Sequence, residues 1–251
     1  MVGAESQIMG HTINFFSIDS TTFNERKLIG SGYPDVIYTE SFEVETMSII
    51  PEYWGAAKQH LRSVDIVIGK LIDDYEEPPL SSKDELFETL IHSIVGQQIS
   101  AIAADAIWAR IGLLVELKTP NSYAKVSDQE LRDAGLSFRK IEYIRGIVKS
   151  WPRLSLIDWN NISDEEVRRE LISLRGIGPW TVDMILIFNL LRPDILPLGD
   201  VGVVRMIERF YANGESLDTE ELNKVGNIWA PYRTVAVWYL WRSLDPEPVE
   251  Y

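Results

Sequence analysis

Four positions in this 251-residue chain put a hydroxyl or carboxylate side chain three residues ahead of a glutamate, beside an apolar run. They are Ser82 with Glu85, Ser127 with Glu130, Ser163 with Glu166, and Asp218 with Glu221. At this spacing the first side chain accepts from the backbone N–H three residues on, while the glutamate reaches back to the N–H of the capping residue. Donors that a helix start would otherwise leave unsatisfied are thereby matched, so each pair marks a helix N-terminus. Apolar pairs placed to staple the entering chain flank three of them: Val126 with Leu131, Ile162 with Val167, and Leu217 with Leu222. Four such starts commit the chain from about Tyr53 onward to a mainly all-α core.

Residues 1–52 read differently. Thr12–Ile18 and Asp35–Met47 are rich in β-branched and aromatic residues, with Gly30, Gly32 and Pro34 between them. This predicts a small β-containing or extended N-terminal layer ahead of a helical domain over 53–251. The tract Asp73–Ser82 is expected as a loop. With 45% hydrophobic residues and eight Trp, the helical part can bury one substantial core.

Several chemistries are excluded by what is missing. There is no Cys, hence no disulfide and no thiolate-held iron–sulfur cluster. The three His (His11, His60 and His92) lie far apart in sequence, against a His/Cys zinc site. The most apolar run, Met184–Leu191, is interrupted by Asn189 and stops at Arg192, too short to cross a bilayer. No small-residue cleavage site follows an apolar N-terminal run. A soluble monomer without a membrane partner is expected, cytoplasmic and nucleoid-associated if the source is prokaryotic.

The formal net charge of −14 weighs against a polyanionic partner. Its distribution softens that objection, because residues 1–80 carry −8 and residues 81–251 only −6. In the latter part Arg139, Lys140, Arg145, Lys149 and Arg153 form a basic run broken by Glu142. Such a run allows a local basic face, but on its own it reads as an ordinary solvated helix face.

The most informative stretch is Leu171–Arg205. A charged helix (Asp164–Leu174) stops at Arg175-Gly176-Ile177-Gly178, and an apolar helix runs from Pro179 to about Leu191. The two glycines permit a tight turn, and Pro179 suits a first helical turn. Backbone N–H groups at such a helix start are a ready site for a phosphate oxygen, which makes Arg175, Gly176, Ile177 and Gly178 candidate phosphate contacts. A loop with Pro193, Pro197 and Gly199 then leads to Asp200, ahead of a helix containing Val203–Phe210. Asp200 is placed as an N-cap, a role compatible with a chemical one because capping fixes the carboxylate's direction.

LRGIGPWT followed after a helix by LPLGDVGVVR resembles the helix-hairpin-helix–Gly/Pro–Asp superfamily of base-excision DNA glycosylases. The segments ETLIHSIVGQQISAIAADAIWARI, AGLSFRKIEYIRGIVKSW and WAPYRTVAVWYLW are similar to its other helices, in the right order. Within the superfamily the likeness is greatest to the type II DNA-3-methyladenine glycosylases, and it spans roughly Tyr53–Ser243. The resemblance implies two helical subdomains, the helix-hairpin-helix near 164–191, and double-stranded DNA with a damaged base as partner.

Residue by residue, the resemblance implies Asp200 as catalytic carboxylate, stabilising positive charge on the sugar as the glycosidic bond breaks. It implies Trp180 and Trp241 as walls of the base pocket, where electron-rich ring faces attract cationic alkylated purines such as 3-methyladenine and 7-methylguanine. Both Trp also fit a plain core role, and Trp238 and Tyr239 compete with Trp241 for the face of the last helix. Met184 stands where an aromatic is usual one turn after Trp180. Gln98 matches the residue that fills the gap left by the flipped base, and equally suits a buried helix end. The carbonyls of Ile172, Leu174 and Ile177 match a Na⁺ or K⁺ site; no other cofactor is implied. Members that also nick the strand carry a hairpin Lys where Trp180 stands, and there is no Lys between Lys149 and Lys224, so base removal without lyase chemistry is expected.

Two rival functions share these residues. A glycosylase for oxidised or deaminated bases would use the same fold, but most carry the hairpin Lys or cluster cysteines. A non-catalytic helix-hairpin-helix DNA-binding module would keep Gly176 and Gly178, with no reason to set a carboxylate after them between aromatics.

Overall fold

The computed structural model describes residues 49–75, 78–82 and 85–244. Of the N-terminal layer expected over 1–52, all but residues 49–52 lie outside the described residues. Ile49 pairs with Ser82 in a single antiparallel bridge, with N–O distances of 2.9 and 3.0 Å.

The described residues form twelve α-helices and one π-helical turn, with no sheet among them. Two groups of helices pack separately. One contains α1 (Trp54–Val64), α2 (Ile66–Asp74), α10 (Val201–Tyr211), α11 (Thr219–Ile228) and α12 (Arg233–Leu244). The other contains α3 (Leu86–Gly96), α4 (Ala101–Gly112), α5 (Pro120–Tyr123), α6 (Asp128–Asp133) and α7 (Phe138–Leu154). Between them run α8 (Asp164–Ile172), α9 (Pro179–Met184) and the π-helical turn Ile185–Asn189. This is the all-α arrangement that the sequence implied.

Local chemistry sets the helix starts. Ser127, Ser163 and Asp218 each form the full reciprocal capping box with Glu130, Glu166 and Glu221. The fourth pair does not cap a helix. Ser82 spends its backbone on Ile49 and its hydroxyl on the carbonyl of Asn189 at 2.9 Å, while Glu85 takes Lys118 at 2.8 Å. Long-range partners outcompete the local motif there. The expected loop also begins later, since Asp73 and Asp74 complete the last turn of α2.

Buried positions follow the helical period where a helix has one wet face. In α10 these are Val203, Met206 and Ile207. In α12 the run from Thr234 to Leu240 is buried on all sides, so this helix is the centre of its group. Asp65 ties the group together. One oxygen caps α2 through Val67 and Ile68, and the other accepts from Tyr211 Oη at 2.7 Å and Trp229 Nε1 at 2.8 Å. Four donors compensate for the burial of this carboxylate.

Part of the basic run is taken up by packing. Lys140 donates to the Val95 carbonyl at 2.8 Å, and Arg145 holds the carbonyls of Tyr123 and Val126 together with Asp128. Arg153 pairs with Glu170, and Arg139 donates to the hydroxyl of Tyr143. Lys140, Arg145 and Arg153 thus fasten elements to one another, while Arg139, Lys149 and Arg153 also lie on an exposed face, so the solvated-face reading holds in part.

Candidate active site

The hairpin begins where α8 runs out. Leu174 N bonds Leu171 O, and Ile177 N bonds Leu174 O at 3.0 Å, closing a turn in which Gly176 has φ 96°. A Cβ on Gly176 would fall 2.4 Å from Cδ2 of Tyr143, so this residue must be glycine both for its left-handed backbone and for its contact with α7. Gly178 is different. It has φ −104° and ψ 171°, which any residue adopts, and a Cβ there would meet nothing within 4 Å. It is the N-cap of α9 and makes no side-chain cap, so the first-turn N–H groups keep no intramolecular capping acceptor. Arg175 is exposed and paired with Glu142. Ile177 and Leu174 are buried, whereas Ile172 is 46% exposed.

The chain after α9 does not continue as one α-helix to Leu191. Leu190 N bonds Ile185 O at 2.9 Å, five residues back, and the segment Ile185–Asn189 is π-helical. Phe188 in this turn stacks on Trp241 of α12, with ring centroids 5.4 Å apart and planes 22° from parallel.

Asp200 is the N-cap of α10, accepting from Val203 N at Oδ1 (2.9 Å). The same oxygen accepts from the indole N–H of Trp241 at 3.1 Å, and Oδ2 accepts from the indole N–H of Trp180 at 2.9 Å. Asp200, Trp180 and Trp241 are all half-buried. Three donors from three elements thus fix the direction of one carboxylate. Gly202 leaves room for it: a Cβ there would lie 3.1 Å from Asp200 Oδ1 and 3.1 Å from Leu244 Cδ2.

The three aromatics of α12 take different places. Trp238 and Tyr239 are buried in the core and pack against Trp54, while Trp241 faces Asp200. Met184, one turn after Trp180, is buried. Gln98 is exposed with φ 61°, in the turn between α3 and α4, so it is not a buried helix end. A carboxylate held between two indoles, next to an uncapped helix start, can stabilise a cation on a sugar whose phosphate rests on the hairpin.

Residues 91–231 match the protein family described as HhH-GPD superfamily base excision DNA repair protein. That stretch is more than half of the chain and contains the whole hairpin and Asp200. The chain belongs to the HhH-GPD superfamily. Among its relatives is DNA-3-methyladenine glycosylase 1 of Schizosaccharomyces pombe (strain 972 / ATCC 24843), 32% identical over 182 residues, covering 69% of this chain and 79% of that one. A solved DNA-3-methyladenine glycosidase from Bacillus halodurans superposes with a TM-score of 0.68 at 38% identity, over 75% of this chain and 88% of the other. The Schizosaccharomyces pombe enzyme Mag1, solved in complex with abasic DNA, gives 0.64 at 30% identity, over 75% and 96%. A Bacillus subtilis (strain 168) relative, 30% identical over 190 residues, is covered to 66% of its length. None of the helices among the described residues is long and apolar enough to cross a membrane.

Within this HhH-GPD site, reading the sequence missed three residues. Gly202, at the second position of a helix where Gly is unfavourable, was a usable signal. Phe188 lay in a helix assumed to be regular, so its direction was not readable. Gln97, which donates through Nε2 to the Gly176 carbonyl at 2.8 Å, has nothing in sequence to set it apart from Gln98.

Proposed function

We propose that this chain is a monofunctional DNA glycosylase, acting as a monomer, that extrudes an alkylated, positively charged purine from duplex DNA and hydrolyses its N-glycosidic bond. The observation that carries this reading is the Asp200 carboxylate clamped between the indole N–H groups of Trp180 and Trp241. The names of the Schizosaccharomyces pombe and Bacillus halodurans relatives support the substrate class.

The α9 start and the turn Arg175–Gly178 receive a backbone phosphate, and Gln98 fills the vacated stack. The C1′–N bond breaks with its electron pair passing to the purine, so a cationic base leaves neutral and needs no strong acid. Asp200 stabilises the oxocarbenium-like sugar until water adds to C1′ and releases its proton. The indole faces of Trp180 and Trp241 attract a cationic purine over a neutral one, an effect worth about 0.5–2 kcal/mol. Trp180 occupies the place of a lyase lysine, so no enzyme amine is available to form a Schiff base. The carbonyls of Ile172, Leu174 and Ile177 are the groups that would hold a Na⁺ or K⁺ beside the phosphate. Leu174 O already accepts the Ile177 N–H and keeps one lone pair for an ion. No step of the hydrolysis runs through that ion.

Parallel release assays on duplexes carrying 3-methyladenine, 7-methylguanine, hypoxanthine and 8-oxoguanine test the reading. Release of the two alkylated bases well ahead of the others is expected; preference for 8-oxoguanine would overturn it. Borohydride trapping on damaged duplex is expected to give no covalent adduct, and an adduct would overturn the monofunctional part.

A further inference from the structure

Gln97 and Gln98 are adjacent, yet the fold gives them opposite placements. Gln98 is exposed at φ 61°, a left-handed backbone rare outside glycine and held only where the surroundings enforce it. Gln97 ends α3 and its Nε2 crosses to the Gly176 carbonyl at 2.8 Å. Gly176 is the residue on which the hairpin turn depends, and its own place is fixed by the ring of Tyr143. From the other side Lys140 Nζ grips the Val95 carbonyl, two residues ahead of Gln97. The turn bearing Gln98 is therefore fastened directly to the hairpin and to α7.

We propose that Gln97 is a positioning residue, which sets Gln98 in register with the hairpin so that a gripped phosphate and a filled gap occur together. This rests on the reading of the chain as a base-flipping glycosylase with Gln98 as the plug. A plug works only if its distance from the hairpin matches the spacing between the held phosphate and the vacated stack. A direct amide–carbonyl bond between the two loops fixes that distance. Extruding a base costs a few kcal/mol in a paired duplex and least where the base is already unpaired. Loss of Gln97 accordingly harms only substrates whose damaged base has to leave a stack.

The experiment compares single-turnover release of 7-methylguanine from a fully paired duplex and from the same duplex with the lesion in a small unpaired bubble. A 2-aminopurine beside the lesion reports unstacking. Gln97→Met keeps the side chain's length and removes the donor. Its rate on the paired duplex is expected to fall about fivefold to tenfold, the worth of one hydrogen bond, with the bubble substrate unchanged within about twofold. The 2-aminopurine signal is expected to drop on the paired duplex alone. Gln97→Glu, which cannot donate while ionised, is expected to recover its paired-to-bubble ratio as pH is lowered toward the carboxylate range. An equal fall on both substrates, or no fall on either, with no pH recovery in the glutamate variant, overturns the proposal. Absence of release by the unaltered protein from both substrates marks failure of the glycosylase reading itself, and the role of Gln97 falls with it.

Discussion

Gly202 and Asp200 are two residues apart, and the missing side chain of one is the space used by the other. A Cβ at 202 would stand 3.1 Å from Asp200 Oδ1. Ala is the better helix former by up to about 1 kcal/mol, which offsets the crowding of Leu244, so Gly202→Ala is expected to leave the melting temperature nearly unchanged. Displacing the carboxylate is expected to lower kcat by about tenfold to a hundredfold with little change in KM. A variant that lost stability and kept its kcat would show that Gly202 serves the helix rather than the acid.

Asp200→Asn removes the charge and keeps the shape. Base release is expected to fall by about 10²–10³, the usual cost of deleting one preorganised electrostatic stabiliser. Binding to an abasic-site analogue, measured by anisotropy, is expected to change little. Retained release with lost binding would assign Asp200 to DNA contact alone.

Gly176→Ala is the matching test of the hairpin. Its φ of 96° and the 2.4 Å approach to Tyr143 leave no place for a methyl group. A loss of about 1–3 kcal/mol in denaturant unfolding is expected, together with weaker DNA binding. Gly178→Ala meets no atom within 4 Å and is expected to be neutral for stability. Its effect, if any, should appear only when DNA is bound.

Asp194 supplies an acid-side pH dependence. Burial pushes its carboxyl up, but the two-pronged hydrogen bonds and charge of Arg233, at 2.7 and 2.8 Å, outweigh this and hold it below the ordinary range. The stability gained is complete above the unfolded value of about 3.9 and is lost as pH falls through the lower folded one. Melting curves of Asp194→Asn are expected to be flatter than those of the unaltered protein across that acid window and lower at neutral pH. Parallel curves would remove this pair from the stability of the α10–α12 group.

Because Lys140, Arg145 and Arg153 of α7 hold carbonyls and carboxylates, they are not free to neutralise phosphates. DNA affinity is expected to show a shallow salt dependence. The slope of log K against log salt should be well short of about −5, the value for six neutralised phosphates. A steep slope would mean that these side chains leave their partners when DNA binds.

Much of this was legible in the chain because it is local. Ser127, Ser163 and Asp218 cap where their spacing says, since each motif closes within four residues. Asp200 was placed as a cap by the same logic. What the sequence could not reveal depends on partners far along the chain. Ser82 was lost to Asn189, part of the basic run to scattered carbonyls, and Gln97 to a glycine 79 residues away. The choice of Trp241 over Trp238 follows from packing on Trp54, which no period in the α12 sequence marks.

The π-helical turn gives this site a dependence on residue count as well as on residue identity. Its i→i+5 bond absorbs one extra residue, and that surplus turns Phe188 toward Trp241. Deleting Ile185, Leu186 or Ile187 would remove that surplus and let the segment rewind as an ordinary helix, turning Phe188 by about 100° relative to α9. Trp241 would lose its backing ring although every aromatic in the site remained. In this chain a one-codon deletion there is more dangerous than most substitutions, because it rephases the wall behind the carboxylate without altering the carboxylate at all.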